Sequence, residues 1–318
     1  MDNSIFPIHF APVQGHTDHA YRSVHSSIYG STFRYYTPFI RVEKGTPRRR
    51  DIVDFKASLE ENLPVTAQVI FRDMEELEIL INSLGEAGAK EIDLNMGCPF
   101  PLQTARGRGA AVIGNTPLVE KTAKMIERYP DISFSLKIRL GINNSDEWRS
   151  SSDAINSMRL HHLTVHPRVA RQQYKGETDM EEFKRVLEMT SHHVIYNGDI
   201  RTPDDVDRIR KRFPEVAGVM CGRGLLARPS LAMEISSKKV LSIQDRISMM
   251  LYFHSRLLSH YQSTLQGDTQ ILMKIAPFWE YAEAEIGRKS WKALKKASTM
   301  PKYLTALAGI SVESDYCI

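Results

Sequence analysis

Cysteine is scarce in this chain of 318 residues. The three present, Cys98, Cys221 and Cys317, are odd in number and far apart. That excludes a disulfide framework and a paired CxxC zinc pattern, and it fits a reducing cytoplasm. No run of about 18 apolar residues occurs, so no membrane-spanning helix is expected. The opening "MDNSIFPIHFAPVQ" lacks the basic segment and apolar stretch of a secretory leader. Repeats at a solenoid period and low-complexity linkers are also missing. The expectation is a cytoplasmic protein with no membrane association and no evident obligate protein partner.

A charge excess is likewise absent from most of the chain. From Ser236 onward there are 11 Lys/Arg against 7 Asp/Glu, out of 42 and 38 in all, so the first 235 residues balance. Within the basic remainder, "GRKSWKALKKASTMPKY" spaces Arg288, Lys292, Lys295 and Lys296 along one helical face. Such a stripe is either a solvated surface or a surface that tracks phosphates.

Short strand-like runs alternate with amphipathic stretches up to about residue 235. Strands are expected at "HFAPV", "FRYYTPF", "VTAQVI", "EIDLN", "SFSLKIR", "HHLTVH", "HVIYNG" and "VAGVMCG". The clearest helices are "DMEELEILINSLGEAG", "TPLVEKTAKMIERY", "MEEFKRVLEMT" and "TPDDVDRIRKRF". Eight such units fit a (β/α)8 TIM barrel, and a doubly wound sheet gives a similar string. Parity favours the barrel. "SFSLKIR" puts Phe134, Leu136 and Ile138 on one face and Ser133, Ser135, Lys137 and Arg139 on the other, whereas an open parallel sheet is apolar on both. Gln68, Asp93 and Asn95 alternate in the same way. Polar side chains from several strand ends thus share one interior, at the rim where barrels build their sites. The domains expected are a barrel over residues 1–235 and a small all-α domain over 236–318.

Cys98 lies in a tight Gly-Cys-Pro turn after the fourth strand, a poor packing site, and so reads as functional. It is a nucleophile or an acid. A nucleophile needs a neighbouring base or a depressed pKa, while an ordinary thiol near 8.5 stays protonated at neutrality and can donate a proton. Lys137 and Arg139, buried at a barrel mouth, call for an anionic or electron-rich ligand, the alternative being a purely structural ion pair with a carboxylate. His162 and His166 stand more than about 10 Å apart on a strand, so no metal is expected. "YNGDI" and "CGRGLLARPSL" place Asn197, Gly198, Gly222, Arg223 and Gly224 where barrels bind phosphate.

Taken in order, "APVQGHTDHAYR", "AQVI", "LNMGCPFPLQTARGRGAAVI", "SLKIRLG", "LTVHPRVARQQYKGE", "YNGDI" and "CGRGLL" resemble the successive motifs of the tRNA-dihydrouridine synthases, from residue 9 to about 230. The resemblance implies an FMN-dependent barrel that reduces the C5–C6 double bond of a uridine in tRNA, with NADPH (or NADH) recharging the flavin. It implies that Pro12, Val13 and Gln14 line the flavin, Gln68 meets its ring edge, Lys137 its N1/O2 side and His166 its ring and phosphate. Asn197, Gly198, Asp199, Gly222 and Arg223 would hold the phosphate end. Asn95 and Arg139, with Arg168, would grip the uracil, and Cys98 would protonate C5. The charge asymmetry, and not the resemblance, makes Lys292, Lys295 and Lys296, with Arg48, Arg49 and Arg50 as a second group, the expected holders of RNA.

Three positions depart from the pattern: Pro38 where Glu is frequent, Arg108 where glycine is frequent, and Pro167 in place of the glycine of His-Gly-Arg. Rival readings are an FMN barrel oxidoreductase acting on a small molecule, a dihydrouridine synthase acting on ribosomal RNA, and an RNA-binding protein that keeps flavin only as a structural element.

Overall fold

The computed structural model describes residues 6–310; Cys317 lies outside them. Eight parallel strands close into a barrel: Ile8–Phe10, Arg34–Tyr36, Val65–Val69, Glu91–Met96, Ser133–Gly141, Leu160–Val169, Val194–Tyr196 and Gly218–Cys221, the last pairing with the first. All eight match the expected runs. The helices start where the sequence supplies caps. Asp73, Asn115, Asp179 and Thr202 each accept a hydrogen bond from a backbone N–H in the first turn that follows. A small hairpin that the sequence reading did not anticipate pairs Val42–Glu43 with Thr46–Pro47. Its turn needs two left-handed residues, and Lys44 and Gly45 supply them at φ 52° and 82°.

The parity reading holds. Ile92, Leu94, Phe134, Leu136 and Ile138, all at most 2% exposed, face the surrounding helices. The opposite faces meet inside the barrel as register neighbours: Gln68 beside Asp93, Asp93 beside Ser135, Asn95 beside Lys137 and Arg139 beside His166. Pro167 sits where the pairing between the fifth and sixth barrel strands slips between Arg139 and Gly141. An irregularity of this kind tolerates a residue without an N–H, so this departure leaves the barrel closed.

Helix Leu231–Ser237 leads out of the barrel, and Ile243–Thr264 begins a C-terminal helical region. That region shares the barrel's apolar core: Tyr21, His25 and Tyr29 of helix His19–Tyr29 interleave with Phe253 and Phe278. Polar ties reinforce the seam. Asp18 accepts from Lys274 Nζ (2.7 Å) and Tyr261 Oη (3.1 Å). No helix among the described residues is long and apolar enough to cross a membrane.

Burial also fills the core with neutral histidines. His25, His162 and His254 are each pushed down to about 3, chiefly by burial, and His9 falls well below its ordinary range for the same reason. His9 Nδ1 lies 2.8 Å from Tyr36 Oη, which is 3.2 Å from His162 Nε2, deep inside the barrel. A base whose folded pKa is depressed adds stability above its unfolded pKa of about 6.5 and loses it as pH falls from there toward the folded value. Each such histidine then costs about 1.4 kcal/mol per pH unit. The expected result is a melting temperature that drops steeply between pH 6.5 and 5; thermal melts giving a flat profile over that range would contradict it.

Candidate active site

At the C-terminal mouth of the barrel, the strand ends and loops enclose a cavity of about 590 Å³. It gathers Pro12, Val13, Gln14, Gln68, Asn95, Cys98, Lys137, Arg139, His166, Asn197, Gly198, Asp199, Gly222 and Arg223. Five expected residues stand outside its wall: Arg49, Arg168, Lys292, Lys295 and Lys296. The wall carries seven Lys/Arg side chains and a single carboxylate, Asp199, a field suited to an anionic ligand.

Asp93, fully buried, roots a polar chain that leads to the cysteine. It accepts from Ser135 Oγ (2.6 Å) and Gln68 Nε2 (2.8 Å). Gln68 Oε1 in turn accepts from Asn95 Nδ2 (2.7 Å). Asn95 Oδ1 then accepts from the backbone N–H groups of Gly97 (3.0 Å) and Cys98 (2.8 Å). Asn95 therefore fixes the turn that presents Cys98, and one amide hydrogen on each of Asn95 and Gln68 is left for a ligand.

The charges set the protonation states. Burial pushes the Cys98 thiol up, against the pull of a backbone hydrogen bond at Phe100 and of Lys137 and Arg139. The thiol is therefore protonated at neutral pH. Burial and the like charge of Arg139 press Lys137 down to about 8. Its ammonium faces the cavity and makes no hydrogen bond or ion pair with the described residues. His166 is held well below its usual range by burial and by the surrounding Arg139, Lys137, Arg168 and Arg223. It lies 3.1 Å from Arg168 Nη1. Arginine only donates, so His166 Nε2 accepts and Nδ1 carries the proton.

Arg168 is almost fully buried behind the wall. Its guanidinium binds Asp199, His166 and the Gly176 carbonyl (2.6 Å), so it braces two cavity residues instead of entering the cavity. Asp199 itself takes a left-handed φ of 45°, a backbone strain that its contacts with Arg168 and Arg223 oppose.

The phosphate-like end is shaped by glycine. A Cβ on Gly198 would lie 2.8 Å from Tyr196 Oη, and one on Gly224 would strike the Ile200 carbonyl. The loops after the seventh and eighth strands are thus packed directly together. Gly222 opens helix Arg223–Ala227 without a side-chain cap, leaving the leading backbone donors to an anion. Arg201 and Arg223 flank them on the same wall. An uncapped helix start at one end and an unpartnered ammonium further in fit a group with a phosphate and an electron-rich ring. Among the described residues no His, Cys, Asp or Glu cluster can hold a metal ion.

Several wall residues had no strong sequence signal. Tyr174 is half-exposed, with the Arg223 guanidinium 4.2 Å and that of Arg139 5.3 Å from its ring centre. Arg41, just before the hairpin, is another, whereas Arg48 and Arg50, at the start of the helix after it, belong to the second basic group that the sequence offered. Tyr281 arrives from the C-terminal helical region. The carbonyl of its neighbour Glu280 accepts from Trp291 Nε1 (3.1 Å). This sets helix Arg288–Lys296 beside the mouth, with Lys292, Lys295 and Lys296 exposed.

Comparison with known proteins adds to this geometry. The family model described as dihydrouridine synthase matches residues 9–308. The tRNA-dihydrouridine(16) synthase of Pseudomonas putida is 27% identical over 97% of this chain and 93% of its own length. That of Pseudomonas syringae is 34% identical over 48% of each. Among solved structures, the old yellow enzyme of Trypanosoma cruzi superposes with a TM-score of 0.54 at 10% identity, covering 74% of this chain and 89% of that one. At that identity the likeness is one of fold.

Proposed function

Because the chain belongs to the dihydrouridine synthase family, we propose that it reduces the C5–C6 double bond of a uridine in tRNA, using FMN recharged by NADPH. The observation that carries this reading is the protonated thiol of Cys98 in the same cavity as the unpartnered ammonium of Lys137. Bound FMN would supply the hydride for C6. Cys98 gives the proton to C5, and the thiolate it leaves is stabilised by Lys137 and Arg139 until solvent returns a proton. Lys137 would face the electron-rich side of the flavin. Pro12, Val13 and Gln14 would line the ring, while Gln68 and His166 would offer it their free N–H groups. Asn197, Gly198 and the Gly222–Arg223 backbone would take the phosphate, with Arg201 and Arg223 as counter-charges. Asn95 and Arg139 meet the uracil, and Arg168 acts through His166 and Asp199.

A folded RNA supports the reading better than a small molecule. The uridine must leave its stack to enter, and contacts elsewhere on the RNA must offset that cost. Phe100 and Tyr174, both 53% exposed at the mouth, suit stacking, and the basic helix beside Tyr281 suits phosphates. Reversing Lys292, Lys295 and Lys296 together to Glu is expected to weaken tRNA binding at least about tenfold. It should also reduce the slope of log affinity against log salt by roughly 2, with flavin content unchanged. Filter binding across a salt series checks this, and an unaltered slope would contradict it.

The relative aligned nearly end to end is named for position 16, and we place uridine 16 first. Incubating the purified, FMN-loaded protein with NADPH and an unmodified tRNA transcript should add two hydrogens at that nucleotide. Turnover of small enones with an inert tRNA would instead favour the small-molecule reading.

A further inference from the structure

The loop carrying Cys98 has a second anchor that the chemistry above does not use. Between Cys98 and Arg108 only Gln103 is buried; residues 99–102 and 104–107 are exposed or half-exposed. Arg108 then turns inward and is 4% exposed. Its guanidinium forks onto the buried carboxylate of Glu76, with Nε donating to Oε2 (3.0 Å) and Nη2 to Oε1. Nη2 also donates to the Val42 carbonyl of the hairpin (3.4 Å). Glu76 stands in the first turn of helix Met74–Glu86 and accepts from the Arg72 backbone as well (3.2 Å). A bidentate pair of this kind fixes orientation as well as distance.

No slack separates this anchor from the thiol. Ala110 N–H donates to the Cys98 carbonyl (3.1 Å). A Cβ on Gly109, at φ +60°, would lie 2.7 Å from that oxygen and 2.8 Å from Cys98 Cβ. A displacement of residue 108 is therefore passed directly to Cys98. Asn95 fixes the leading side of the turn, and Arg108 fixes the trailing side.

We infer that Arg108, held by Glu76, is a positioning residue that sets where the Cys98 thiol stands above the bound base. The inference rests on Cys98 being the proton donor. Breaking one half of a buried pair strands a charge and risks the fold, whereas replacing both halves with apolar residues is commonly tolerated. The test is therefore the paired variant Arg108→Met with Glu76→Leu, beside Arg108→Lys, which keeps the charge and loses the fork.

The paired variant should hold flavin as the wild type does and accept hydride from NADPH at the wild-type rate, since neither needs the thiol. Oxidation of the reduced enzyme by tRNA should slow roughly 10–100-fold, the scale of a misplacement near 1 Å. Iodoacetamide should alkylate Cys98 faster, and Arg108→Lys should fall between on both measures. Adding Cys98→Ala to the paired variant should cost less than it costs the wild type, because both changes act through one group. Wild-type rates of alkylation and of tRNA reduction in the paired variant, or fully additive losses with Cys98→Ala, would overturn the inference. If the paired variant fails to hold flavin, Arg108→Lys carries the same comparison. A wild type that makes no dihydrouridine would refute the proposed function, and the alkylation rates would still decide whether Arg108 holds the loop.

Discussion

Cys98→Ala should retain flavin, accept hydride from NADPH normally, and reduce uridine in tRNA about 10²–10⁴ times more slowly, the usual contribution of a placed general acid. The substitution is clean because Asn95 holds the turn through backbone N–H groups at 97 and 98 and not through sulfur. Stopped-flow measurement separates the two half-reactions. Loss confined to the step with tRNA identifies the thiol as the donor, and equal loss in both would mean that the loop had collapsed. The pH profile gives a second check with a definite sign. Burial raises the thiol's pKa, so the acid form persists through neutrality, and ionisation of the thiol should slow the tRNA step only on the alkaline side of the ordinary thiol range.

Lys137→Met should have the opposite effects on stability and function. The ammonium makes no direct ion pair among the described residues, and burial and Arg139 press its pKa to about 8 against the pull of buried Asp93, so the flavin-free chain bears a cost for keeping it charged. Removing it should stabilise that chain by roughly 1–2 kcal/mol, in the range of ordinary point substitutions. The sign follows from linkage. A lysine depressed from 10.5 destabilises fully below about pH 8, and the penalty fades as pH rises toward 10.5, so the gain should be largest at neutral pH and vanish in strong alkali. Flavin retention should fall sharply and tRNA reduction by about 10²-fold or more, since the charge aimed at the electron-rich ring is gone. Thermal melts and flavin absorbance on the same preparations test both halves. A Lys137→Met protein that is less stable without flavin, or that keeps flavin and turnover intact, would contradict this role.

The barrel was legible because strands such as "SFSLKIR" separate apolar from polar residues with period two, a pattern that survives any rearrangement of loops. The rim residues were legible for the same reason: parity and strand order place Gln68, Asn95, Lys137 and Arg139 together without knowledge of distances. What escaped has physical causes. Tyr281 reaches the wall through a helical region that packs back on the first barrel helix, a contact that no local pattern encodes. Arg168 reads as a ligand contact by its place after His166, yet Asp199 and the Gly176 carbonyl claim its guanidinium. Asp93 reads as an inward polar residue, but its place at the root of the chain to Cys98 depends on Ser135 and Gln68 being its register neighbours. The hairpin around Lys44 and Gly45 has strands of two residues, too short to show alternation. Arg108, a departure in the sequence, gains a partner only once helix Met74–Glu86 is packed against the loop.

The most direct test compares RNA from cells with and without this gene, mapping dihydrouridine by mass spectrometry and reverse-transcription arrest. The expected result is loss of the two-hydrogen mass gain at one defined tRNA uridine, position 16 first, and its return with the wild-type gene but not with Cys98→Ala. An unchanged tRNA profile, or full restoration by the Cys98→Ala gene, would contradict a tRNA-reducing enzyme whose acid is Cys98.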